Sequence, residues 1–175
     1  MALEGEMHRA IERNELQIYL QPQVDGEARI IGAEVLLRWQ HPERGIVPPD
    51  HFIPLAEETG QIIAIGEWVL LEICRLLARM TAAGQALRMA VNVSPRQFRQ
   101  PHFATRVKAA LVATGADPDW LTLEITEGLA IEDIDGTIAT LSALKALGIH
   151  LSIDDFGTGY SSLAYLSRLP VDELK

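Results

Sequence analysis

Six side chains in this sequence have types and spacings that suit divalent-metal chemistry. Asn92, Glu124, Asp154 with its neighbour Asp155, and Lys175 each close a short apolar segment, at intervals of 32, 30 and 21 residues. The first two intervals match a strand–helix–strand repeat of roughly 30 residues. Glu34 lies inside an earlier apolar segment and is the natural further member. Brought to one face, these residues would supply three or four carboxylates, one amide oxygen and one ammonium. Like charges so placed raise one another's pKa values, and hard divalent cations with oxygen ligands relieve that repulsion. Mg²⁺ or Mn²⁺ suits an all-oxygen set, whereas zinc would bring His or Cys. The histidines His8, His41, His51, His102 and His150 show no paired ligand spacing. Two such ions would let an acidic protein receive a phosphate, generate hydroxide and stabilise an in-line displacement at phosphorus.

Taken singly, each acidic residue reads more readily as a solvated strand end or a helix cap, and Asp154-Asp155 before Gly157 as turn chemistry. Jointly the pattern is harder to set aside, because Glu124 and Asp154 interrupt otherwise apolar strands and buried unpaired charge is costly. The loop Asp155-Phe-Gly-Thr-Gly-Tyr-Ser-Ser162 could cradle a phosphate with backbone N–H groups. It is not a P-loop, since no Gly-Lys-Ser/Thr follows; a lid or a plain glycine-rich turn reads as well.

The elements that must position these residues alternate between two periods. Leu16–Val24 alternates as a half-buried strand, Asp25-Gly26 turns, and Ile30–Trp39 is a second strand, together an opening hairpin. Ile65, Val69, Ile73, Leu76, Leu77 and Met80 mark one helical face, with Gly84 at its end. Strands then follow at 87–93, 121–126, 149–153 and from 171. Helices are expected at 103–113, over Ile134, Ile138, Leu141 and Leu144 with Gly148 just after, and at 161–168. Such alternation predicts an α/β fold with a parallel sheet and outer helices, in which the carboxyl ends of the strands carry function. Cys74 among Ile73, Leu76 and Leu77 reads as core. Trp39, Trp68 and Trp120 could stack a base, with core packing favoured for Trp68. Asp117-Pro118-Asp119 reads as loop punctuation and Glu57-Glu58-Thr59 as a charged helix start.

Bulk properties exclude several classes. The 175 residues are one domain's worth. A net charge of −9, from 15 basic against 24 acidic residues, argues against a duplex nucleic-acid partner. No apolar run approaches the roughly 18–20 residues of a membrane span, and the acidic start is no leader, so no membrane contact is expected. One cysteine allows no internal disulfide. The expected location is cytoplasmic.

Taken together, the residues resemble the EAL domain family, bacterial phosphodiesterase modules that linearise cyclic di-GMP. The resemblance runs through Gln21-Pro22, Glu34-Val-Leu-Leu-Arg-Trp39, Phe52-Ile-Pro-Leu-Ala-Glu57, Val91-Asn-Val-Ser94, Glu124-Ile-Thr-Glu127, the 154–162 stretch and Leu174-Lys175, in family order over nearly the whole chain. It implies a TIM-like (β/α) barrel with an opening antiparallel strand. It also implies two Mg²⁺ or Mn²⁺ ions, with Ca²⁺ inhibitory, on Glu34, Asn92, Glu124, Asp154 and Asp155. Lys175 would orient the attacking water, and Gln21, Leu36 and Arg38 would contact the dinucleotide, Arg38 at a phosphate oxygen. Glu127 would anchor the glycine-rich loop, which in the family couples dimerisation to metal binding, so a homodimer is expected. The implied reaction is hydrolysis of cyclic di-GMP to linear pGpG.

Two departures qualify these expectations. The name motif reads Glu-Val-Leu, and Val35 should point away from Glu34 on a strand. The family continues past Lys175 with a further glutamate, a glutamine and the last strands and helices of the barrel. The expected organisation is therefore a lead-in helix over 1–14 and an incomplete EAL domain over 15–175. A strand edge and an apolar interior face would be left open, with catalysis poor or absent in this chain. The helical start Glu4–Asn14 could be the tail of a linker from a sensor or diguanylate-cyclase domain. The competing function is a non-catalytic module that binds cyclic di-GMP or a protein partner; a purely structural dimerisation piece would leave the carboxylate set unexplained.

Overall fold

The computed structural model describes residues 2–154 and 168–175 of the chain. The elements run α1 (Ala2–Met7), β1 (Leu16–Val24), β2 (Ile30–His41), β3 (Gly45–Val47), α2 (Pro49–Thr59), α3 (Ile62–Ala82), β4 (Arg88–Asn92), α4 (Pro95–Phe98), α5 (Phe103–Thr114), β5 (Leu121–Thr126), α6 (Glu127–Glu132), α7 (Ile134–Lys145), β6 (His150–Asp154) and β7 (Glu173–Leu174). The strands form one sheet in the order β1-β2-β4-β5-β6-β7, with β3 on β2. β1 and β3 lie antiparallel to β2, and every other neighbouring pair is parallel. This is the expected α/β architecture with an opening antiparallel strand.

Strand alternation divides the sheet into two faces. Ala33, Val35, Trp39, Met89, Val91, Leu121, Leu123, Ile125, Leu151 and Ile153 are buried on one of them and share the core with the helices. Val35 is thus directed away from Glu34, as its place on a strand requires. α3 contributes Ile62, Ile65, Val69, Ile73 and Leu77, spaced three or four residues apart, to that core. Gly115, with φ 69, ends α5 in the left-handed conformation that a Cβ disfavours.

Several expectations are corrected. Glu57-Glu58-Thr59 ends a helix instead of starting one. Pro49 opens α2 and Gly60, with φ 81, closes it. Arg96 then donates to the carbonyls of Glu57 and Glu58, satisfying acceptors that a helix end leaves free. The lead-in helix stops at Met7, and turns continue to Asn14 with φ 55. Met7 and Ala10 are nevertheless buried in the common core. β1 is less covered than a half-buried strand, because Tyr19 to Pro22 are exposed on both faces at the sheet's edge. The expected apolar interior is instead small and polar, since the face opposite the helices carries Gly32, Ala90, Thr122 and Ser152. Trp39 is fully buried, which removes it as a stacking face, and Trp68 and Trp120 are partly buried and pack against the core. Asp117-Pro118-Asp119 is more than punctuation, because Asp117 caps a 3₁₀ turn over Pro118–Trp120. The helix expected at 161–168 falls almost wholly outside the described residues.

Leu123 sits centrally in this core at 1% exposure, so Leu123→Ala is expected to cost about 2–5 kcal/mol in urea unfolding. Burial pushes the Cys74 thiol up to about 11. Because this pKa is raised on folding, its contribution is intact below the ordinary thiol value and is lost as pH rises through about 11. Native protein at neutral pH should therefore resist iodoacetamide at Cys74, with alkylation following the unfolding transition in urea.

Candidate functional site

The parallel register explains why residues far apart in sequence meet. Asn92 of β4 lies beside Glu124 of β5, and Thr126 of β5 beside Asp154 of β6. Glu34 of β2 pairs with Ala90 on one side and with Gln21 of β1 on the other. Glu34, Asn92, Glu124 and Asp154 therefore share the polar face at the carboxyl ends of four neighbouring strands. Leu36, Arg38 and Gln21 lie on the same face. Asp155 and the glycine-rich loop lie outside the described residues.

Two hydrogen bonds tie the set together. Asn92 Nδ2 donates to Glu34 Oε1 at 2.9 Å, which leaves the amide oxygen as the acceptor of Asn92. Lys175 Nζ donates to Glu124 Oε1, spanning 51 positions of sequence. Glu124 is only 2% exposed. Burial raises its pKa, Lys175 opposes that shift, and Glu34 and Asp154 add to it. For Lys175, burial works against the charge, but the hydrogen bond to Glu124 and the fields of Glu124, Glu173 and Glu34 hold its pKa above the ordinary lysine value. The described carboxylates Glu34, Glu124 and Asp154 thus outnumber the Lys175 ammonium that reaches Glu124. Among the described residues, no three His, Cys, Asp or Glu side chains close into a group able to hold a metal ion. They share a face without forming a cage.

Asp172 is a residue that the sequence reading passed over. Its carboxylate accepts from Lys145 Nζ at 2.7 Å and from the Leu151 backbone N–H at 2.8 Å. These bonds fix the start of β7 against α7 and β6, and so aim Lys175 at Glu124. No local signal marks Asp172, since both partners lie more than twenty residues away. Glu127, the expected loop anchor, begins α6 and is 3% exposed. A cavity of about 290 Å³ opens beside the set. Leu36, Asn92 and Glu124 line it together with Ile65, Val69 and Pro95, so an apolar chamber adjoins the charged face.

The sequence model of the EAL domain matches residues 4–175. The chain belongs to the EAL domain family. The chain is 46% identical over 172 residues to the bifunctional diguanylate cyclase/cyclic di-GMP phosphodiesterase MucR of Pseudomonas aeruginosa, covering 97% of this chain and 25% of MucR. It is 43% identical over 179 residues to the cyclic di-GMP phosphodiesterase NbdA of the same organism, covering 100% of this chain and 23% of NbdA. Among solved structures it resembles "PaMucR Phosphodiesterase, c-di-GMP complex" with TM-score 0.96 and 44% identity, covering 99% of this chain and 71% of that one. The chain thus spans about a quarter of the length of these curated relatives. Its open sheet corresponds to part of the TIM-like barrel of EAL domains. Among the described residues, no helix is long and apolar enough to cross a membrane.

The Asp172 anchor carries a pH signature. Burial raises its carboxyl pKa, but Lys145 and the Leu151 N–H outweigh that, and the net value is lowered. Because the pKa is depressed on folding, the stabilisation is present above the unfolded value of 3.8 and is lost as pH falls through the folded one. Asp172→Asn should cost about 1 kcal/mol at neutral pH, allowing for solvent screening. Urea unfolding of both proteins should show the difference closing below the ordinary aspartate range.

Proposed function

We propose that this EAL domain hydrolyses one phosphodiester of cyclic di-GMP to give linear pGpG, with two divalent cations, Mg²⁺ or Mn²⁺, at the carboxyl ends of the strands. The observation that carries the reading is the sharing of one face by Glu34, Asn92, Glu124 and Asp154, with Lys175 on Glu124. The similarity to relatives named as cyclic di-GMP phosphodiesterases, and to a structure titled as a cyclic di-GMP complex, supplies the substrate class.

The donor set fits hard cations by charge and by type. Every candidate atom is an oxygen, and the buried Glu124 carboxylate, raised further by Glu34 and Asp154, needs more positive charge than Lys175 supplies. Glu34, Asn92, Glu124, Asp154 and Asp155 would hold the ions. When bound, the ions lower the pKa of water and offset negative charge developing on the phosphoryl oxygens. Lys175 Nζ, an ammonium donor already directed into the site by Glu124, would hold the attacking water by a hydrogen bond. Arg38 would donate to a non-bridging phosphate oxygen. Gln21 would fix the ligand by its amide, and Leu36 would cover a base beside the apolar chamber.

The test is calorimetric titration of cyclic di-GMP into the whole protein that carries this domain, with Ca²⁺, a cation expected to support binding without turnover, followed by chromatography of the product with Mg²⁺ or Mn²⁺. Saturable binding followed by pGpG is the expected result. Binding without product would support the non-catalytic module instead. Glu34→Ala should keep the folded circular dichroism spectrum while turnover falls below about one hundredth of wild type. Undiminished turnover by folded mutant would overturn the metal assignment.

A further inference from the structure

Tyr19 lies amid the three residues read as ligand contacts, although no motif includes it. The β1–β2 register pairs Tyr19 with Leu36, Gln17 with Arg38 and Gln21 with Glu34. Tyr19 is therefore directly across from Leu36, diagonal to Arg38 and two residues before Gln21 on the same face. Diagonal neighbours across antiparallel strands lie within reach of aromatic and long side chains. The Arg38 guanidinium carbon is 5.6 Å from the centroid of the Tyr19 ring, where the ring's negative face attracts a cation. Arg38 Nη1 also donates to the Leu37 carbonyl at 2.9 Å. Among the described residues, no carboxylate forms an ion pair with Arg38. A ring and a backbone carbonyl hold the guanidinium without neutralising it, which leaves its charge for an anion. Tyr19 remains 44% exposed, so core packing does not account for an aromatic ring at this position.

We infer that Tyr19 is a positioning residue that holds the Arg38 guanidinium over the carboxylate face, oriented toward a phosphate oxygen of the ligand. The inference rests on the reading of Arg38 as a phosphate contact. Without the ring, the long Arg38 side chain would spread over more rotamers and lose part of its alignment on binding. The phenol hydroxyl has no part in this, so a phenylalanine would serve as well.

The test combines a ligand-free and a ligand-bound readout on the folded chain. In ¹⁵N–¹H spectra of the ligand-free protein, the Arg38 Hε resonance should be displaced by the ring current in wild type and in Tyr19→Phe, and should return toward its ordinary position in Tyr19→Leu. With cyclic di-GMP and Ca²⁺, Tyr19→Leu should weaken binding about two- to five-fold, as expected for an exposed cation–π contact. Tyr19→Phe should bind as wild type does. On an Arg38→Ala background, Tyr19→Leu should bring no further loss. An undisplaced Arg38 resonance in wild type, or an equal loss on both backgrounds, would overturn the inference. Absence of binding by wild type with the resonance displaced would count against the ligand reading alone and leave the Tyr19–Arg38 contact supported.

Discussion

A carboxylate buried in the middle of a parallel sheet is the constraint around which this fold is arranged. Glu124 is 2% exposed on β5, with Glu34 and Asp154 nearby on the same face. An isolated charge in that position would be strongly unfavourable, and the Lys175 ammonium reaches it and offsets that cost. Lys175 does so only because β7 lies parallel to β6 with its backbone N–H on the Ile153 carbonyl. That placement depends in turn on Asp172, held by Lys145 and the Leu151 amide. One unfavourable group thus fixes the relation of α7, β6 and β7, and it leaves an excess of negative charge suited to cations.

The two ends of the sheet have different work. The candidate site residues gather at the carboxyl ends, whereas the other end carries structural polar contacts. His150 of β6 contacts Asp119 at 2.8 Å and Arg88 of β4 at 3.3 Å. These groups join the turn before β5 to the amino-terminal ends of β4 and β6, away from the candidate site. In parallel barrels this division is general, with the carboxyl-end loops free to vary in chemistry over a conserved scaffold.

β2 joins the amino-terminal segment to the site. Its inward residues Glu34, Leu36 and Arg38 belong to the candidate site, and its outward residues Val35 and Trp39 belong to the core. At its far end, Trp39 Nε1 donates to Glu15 Oε2 at 3.0 Å, and His41 Nε2 meets Glu6 Oε2 at 3.1 Å. His41 Nδ1 accepts from the amides of Glu43 and Arg44, which places the remaining ring proton on Nε2, toward Glu6. The segment before β1 is thereby seated on the strand that carries side chains of the candidate site.

Much of this was legible in the sequence because it is periodic or local. Alternation over Leu16–Val24 and helical spacing from Ile65 to Leu77 mark the elements, and glycines such as Gly115 mark their ends. The roughly 30-residue repeat of polar strand ends predicted which residues would share a face. Even the direction of Val35 followed from the two-residue period. Other features depend on neighbours that the chain does not announce. Reading Glu57-Glu58-Thr59 as a helix start missed that Pro49 had already opened the helix. The lead-in helix is shorter than its composition suggests, because residues 8–14 continue its polar character in turns. The polar inner face, the Asp172 anchor, the Lys175–Glu124 bond and the Arg38–Tyr19 contact all depend on register between strands. By itself, then, the sequence determined the main strands, the helices α3, α5 and α7, their alternation and the residue types at the strand ends, since these follow from each residue's own conformational preference and spacing. Only the tertiary structure decided which charge meets which, because electrostatic pairing depends on distances in space that separations in sequence do not set.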